Sequence, residues 1–299
     1  RNVTEFVAAM GDWARAGLDA FTLSLQGGNP NADDNAGGGP TSADRSEVVS
    51  AFRADGSLKA AWKDRLTIVL DEADRLGMVV ILNLFYKHQS DELADQSAVL
   101  AATDTVIDFL WKENDYYNVI FDVANEVSPR ASGPPSGYAH DILTIARVHE
   151  VMRHMHAYAA ANYPGHVLAV SASMSAATDP TTVPDAYFEQ ADFVLWHGNG
   201  IDMSTQASYI QAIRRRTAKP IVWNEDNHTE TGTCPQRTIA AVAAKGDPTI
   251  ALGVGWGLHW KGCNDYRRGY QAMPVNWDNT AGDPFKAGFL SWVTAITGS

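Results

Sequence analysis

Cysteine is nearly absent: Cys234 and Cys263 are the only two in 299 residues. At most one disulfide is available within the chain. The sequence leaves pairing and two free thiols equally open, because it does not place the two backbones. A pair would suit an exported protein, so a secreted or periplasmic location is the expectation, with any leader removed before Arg1. Basic residues are scarce as well. Lys and Arg number 23 against 35 Asp and Glu, a net charge of −12, which disfavours a phosphate backbone and so a nucleic-acid partner. The short basic run Arg214–Arg216 reads as a solvated helix face. No apolar run reaches the ~18 residues of a membrane span, so no membrane partner is expected. No strand end carries a His-X-His pair. His154 and His156 have that spacing, but they fall mid-helix, where such positions diverge.

What the chain does have is a repeat. Hydrophobic residues make up 45% of it, enough for one large core, so residues 1–299 are expected to form a single domain. Helical spacing over 3–17 gives way to an apolar strand near residue 20. Further strands are expected near residues 80, 121, 169, 194, 222 and 253, each preceded by a helix and ending in polar residues. Helices are expected over 60–77, 93–113, 141–163, 186–190, 204–217, 237–245 and 284–296. This alternation predicts a parallel sheet with helices outside, an α/β class (β/α)8 TIM barrel. Seven strands are counted where eight are needed. The chain opens on a helix, so the first strand is the one expected to be missing or to lie upstream of Arg1.

Two strands end alike. Ile221–Trp223 runs into Asn224–His228, and Val119–Val123 runs into Asn125–Glu126. Polar residues at the end of a buried strand are costly to place unless something uses them. The carboxyl end of a barrel strand is also where barrel enzymes keep their chemistry. Glu126 and Glu225 would then share one rim and face each other across the mouth. Two carboxyl groups about 5–5.5 Å apart suit a retaining glycosidase, one attacking the anomeric carbon and the other handling the proton. Asn125 would hold the sugar's 2-hydroxyl. His88, His197, His228 and His259 fall near strand ends, and His197 is the one expected in the site. Aromatic faces stack on sugars, which makes Trp256 the expected platform, with Trp260 and Tyr266 behind it. Lys87 and Asp226 are placed to tune the glutamates.

With these motifs in view, the sequence resembles the clan A glycoside hydrolases, closest to the family 5 cellulase-like barrels. The resemblance rests on FDVANEV with Asn125–Glu126, on IVWNE with Glu225, and on Phe52–Leu58 leading through a helix to Leu76–Leu82. Trp256 matches the clan's sugar-platform position. The resemblance implies Glu126 as acid/base, Glu225 as nucleophile and Asn125 as 2-hydroxyl ligand; His197, Tyr86, His88 and Gln26 are expected around the substrate from their places at strand ends. It implies an oligo- or polysaccharide partner, most simply β-linked, and no cofactor or metal. The sequence departs from the clan where Gln26–Asn29 replaces the usual arginine, where Tyr86–Lys87–His88 ends the third strand, and where His197 stands near the nucleophile. Two alternatives remain open: a non-catalytic carbohydrate-binding barrel, and a metal-dependent barrel hydrolase.

Overall fold

A computed structural model of the chain describes residues 2–27, 50–127, 137–226, 239–259 and 284–299, apart from the side chains of Asn2, His88 and 284–286. Seven strands, β1 (Ala20–Ser24), β2 (Val79–Phe85), β3 (Val119–Ala124), β4 (Val170–Ser171), β5 (Val194–His197), β6 (Ile221–Asp226) and β7 (Gly255–Leu258), alternate with helices. The helices are α1 (Asn2–Arg15), α2 (Ala60–Leu76), α3 (Gln96–Asp108), α4 (Val148–Asn162), α5 (Asp185–Gln190), α6 (Met203–Arg214), α7 (Ile239–Ala251) and α8 (Pro284–Thr297).

All strand pairings are parallel, in the order β1-β2-β3-β4 and β5-β6-β7. A single parallel bridge, Met174 to Trp196, joins the two groups. The chain is therefore a TIM-barrel-type α/β fold. No strand among the described residues precedes β1. On the helix side the ring closes: the Thr294 and Thr297 hydroxyls of α8 reach the Ala16 carbonyl after α1.

Local chemistry sets these boundaries. Asp95 caps α3 by accepting from the Ala98 N–H, and Asp202 caps α6 through Thr205. Gly77 ends α2 at φ 69°, its N–H returning to Ala73 and Asp74. Two elements differ from expectation. The helix expected from residue 141 begins at Val148, after an isolated turn, Asp141–Leu143, that buries Ile142 and Leu143. The last strand, expected near residue 253, begins at Gly255, because the helix expected to stop at 245 continues through Pro248 to Ala251. Buried Thr249 holds that final turn, bonding the Lys245 carbonyl and accepting from Gln206.

Along each strand, alternate residues face the barrel axis. Ile81, Ile120, Ala169, Phe193, Leu195 and Val222 form an apolar layer there. The larger apolar cluster lies between strands and helices, from Met10 through Leu70, Val106 and Met152 to Leu290.

Candidate active site

The carboxyl ends of β3, β5 and β6 meet at one rim. Strand register sets His197 opposite Glu225. The Nδ1 of His197 lies 3.1 Å from Glu126 Oε1 and 3.6 Å from Glu225 Oε2, between the two carboxylates. Ligand atoms of Glu126, His197 and Glu225 all fall within 4.8 Å of one another. The glutamate side chains are 23% and 24% exposed and the histidine 1%, so the acids have an open face and the imidazole lies sealed beneath them.

Electrostatics follow from this packing. Burial opposes a charge on His197, but the carboxylates of Glu225, Glu126 and Asp122 outweigh it and push its pKa up to about 9. Burial likewise opposes a charge on Glu225. His197, His259 and Asn199 overcome that and hold its carboxyl well below the usual range. Glu126 is also lowered: His197 and Lys87 outweigh desolvation and the Glu225 charge.

Two residues join the site without having been singled out for it. Asn199 donates to Glu225 Oε1 at 2.7 Å, and His259 Nδ1 stands 3.0 Å from the same oxygen. Both follow strand ends, at bends where sequence alternation no longer tells the direction of a side chain. Lys87 does what its position suggested, with Nζ 3.5 Å from Glu126 Oε2. Asn125 is half-buried beside Glu126, its N–H bonded to Phe85 and its carbonyl accepting from Tyr138. Tyr86 is half-buried one residue before Lys87.

Other expectations do not hold. Gln26 is fully buried and its amide is spent on the fold, donating to Ser50 and the Gln89 carbonyl and accepting the Tyr86 N–H. It braces the β1 and β2 tips and offers nothing to a ligand. Trp256 points the other way from the mouth. In register with Trp223, it packs on the helix layer edge-to-face with Trp292 and donates its indole N–H to Asp226. Its neighbours Gly255 and Gly257 occupy the inward positions of β7, so Trp256 is a packing residue and not a platform on this rim. Asp226 is turned outward as well, bonded to Lys245 Nζ at 2.7 Å. His154 and His156 diverge as expected, to Asp104 and to the Gln190 carbonyl. Trp260, Tyr266, His228 and both cysteines lie outside the described residues, as does the side chain of His88.

Glu126, His197 and Glu225 are also the group that could hold a metal ion among the described residues. Nδ1 faces two carboxylates, which favour a proton on it, and a cation there would compete with that proton.

No family model matches the chain, and no curated protein matches it in sequence. Solved structures do. A GH5-4 broad specificity endoglucanase from Clostridium longisporum superposes with a TM-score of 0.60 at 11% identity, covering 97% of this chain and 86% of its own. The endo-1,4-β-mannanase of Rhizomucor miehei gives 0.57 at 11% identity, over 100% and 91%. The cellulose synthase subunit Z of Clostridioides difficile gives 0.58 at 9%, over 96% and 91%. At such identities the likeness is one of architecture: the chain has the TIM-barrel fold of the clan A, family 5 glycoside hydrolases.

Proposed function

We propose that the chain is a retaining glycoside hydrolase that cleaves β-linked glycans or glycosides, with Glu225 as nucleophile and Glu126 as acid/base. The observation that carries this reading is the convergence of the two carboxylates at the barrel mouth, one oxygen of each lying within 4.8 Å of the other. Opposed acids this close favour a retaining pair, whose carboxyl groups stand about 5–5.5 Å apart, over an inverting one, which needs about 6.5–9.5 Å to seat a water. The neighbours named as an endoglucanase and a mannanase support the same substrate class.

The roles follow from the charges. Glu225 is held far down, so it is the anion that attacks the anomeric carbon. Glu126 donates its proton to the departing glycosidic oxygen as that bond breaks. It then takes a proton from water, which attacks the same carbon and frees Glu225. Two displacements return the original configuration. Asn125 is the candidate ligand for the sugar's 2-hydroxyl, and no cofactor is required.

A second reading, sugar binding without hydrolysis, draws support from the lowered carboxyl of Glu126, because an acid catalyst must hold a proton. In the hydrolase reading, a substrate seated over the open face of the glutamates adds desolvation, which pushes the Glu126 carboxyl back up and favours its protonated form.

Aryl β-glycosides and soluble β-glucans and β-mannans test the reading. Wild-type protein is expected to turn over at least one of them, and Glu225→Gln to lose at least ~10³-fold in kcat with its fold intact. Unchanged turnover in Glu225→Gln would refute the assignment.

A further inference from the structure

Glu126 has an unusual backbone. Its φ is 49°, in the left-handed region that residues with a Cβ seldom occupy. The segment around it is pinned at every step. The Asn125 N–H reaches the Phe85 carbonyl, and the Asn125 carbonyl accepts from Tyr138. Three further contacts converge on one buried residue, Ser173. Its N–H donates to the Ala124 carbonyl at 3.2 Å, its carbonyl accepts the Val127 N–H at 3.0 Å, and its Oγ accepts the Glu126 N–H at 3.0 Å.

Ser173 is itself held from below. Asp122, fully buried in the barrel, accepts the Ser173 N–H on Oδ1 at 2.8 Å and the Ser173 hydroxyl on Oδ2 at 3.0 Å. Asn83 donates to the same Oδ2 at 3.1 Å. The serine hydroxyl has two acceptors for its proton, Asp122 Oδ2 and, at 3.3 Å, the Ala124 carbonyl, and with either it presents a lone pair to the Glu126 N–H. Asn83, Asp122 and Ser173 thus form a connected buried chain that ends on the backbone of the proposed acid.

We propose that Ser173, braced by Asp122 and Asn83, is a positioning residue that holds Glu126 in its left-handed conformation and so sets its carboxyl against His197 and Glu225. The statement about geometry stands alone; its catalytic consequence rests on reading Glu126 as the acid/base.

The test uses Ser173→Ala, with Ser173→Thr as the variant that keeps the hydroxyl. Ser173→Cys fills the space with a poor acceptor and serves should the alanine protein unfold. Two readouts separate positioning from general destabilisation. In an NMR titration of His197, which faces Glu126, Glu225 and Asp122, Ser173→Ala should lower the midpoint by about one unit as Glu126 moves away, with Ser173→Thr returning toward wild type. In kinetics, kcat/KM for aryl glycosides with poor leaving groups should fall ~10²-fold, while dinitrophenyl glycosides, which need no proton, should change less than ~3-fold. An unshifted His197 midpoint, or equal losses for both leaving groups, would overturn the proposal. If wild-type protein cleaves no glycoside, the hydrolase reading fails separately, and the His197 titration still decides whether Ser173 positions Glu126.

Discussion

At the residue scale, the site is a balance of four nearby charges. Glu126 and Glu225 are both held below the usual carboxyl range, His197 between them is pushed up, and Lys87 Nζ lies 3.5 Å from Glu126. Lys87 favours the ionised acid, so it pulls the proton of the site toward lower pH. Lys87→Met should therefore raise the affinity of the free enzyme for that proton. The alkaline limb of the pH–kcat/KM profile is expected to move up by about half to one unit, and a limb that stays put or moves down would show that Lys87 does not touch the titrating set. Glu126, Glu225 and His197 were legible in the sequence, because each is a polar residue at the end of an apolar, β-branched run. His259 was one of four histidines marked near strand ends but was passed over for His197, and Asn199 and Ser173 were not legible. Asn199 and His259 follow strand ends where alternation stops, and Ser173 looks like any small strand residue until the Glu126 turn wraps around it. Gln26 was misread for the opposite reason: it has the right position, but its amide is consumed by backbone.

At the element scale, β6 and the bend after β5 do most of the positioning. The β5–β6 register shifts between Leu195 and His197, which carries Glu225 toward His197 while Asp226 points out to α7. Gly198 makes the approach possible, because a Cβ there would lie 2.1 Å from the Trp223 indole nitrogen. Behind β6, Lys245, Gln206 and Trp256 all donate to the buried Asp226. Trp256→Phe removes one of those donors and is expected to cost about 1–2 kcal/mol of stability. Thermal melting should show the loss while KM stays within about twofold; a large KM rise without destabilisation would return Trp256 to the sugar site. The alternation Gly255-Trp256-Gly257, with glycine on the inner face, held this outward direction in the sequence all along. The late end of α7 was harder to read. Pro248 is a stop signal locally, and the bond from Gln206 to Thr249 that overrides it comes from another helix.

At the scale of the whole molecule, the alternation of apolar strands and amphipathic helices was enough to give a parallel barrel, and all seven strands lie near where the periodicity put them. Closure was less legible. It depends on contacts such as α8 against the end of α1, which join residues 278 and 281 positions apart. The barrel matters to function because it brings two acids, 99 positions apart by their numbers, to one rim with a buried imidazole between them. A retaining pair fixes the stereochemical outcome. ¹H NMR of the first product released from a β-linked substrate, recorded before mutarotation, measures it directly. Two displacements at the same carbon release the β-anomer first. First formation of the α-anomer would mean a single displacement by water and would contradict it.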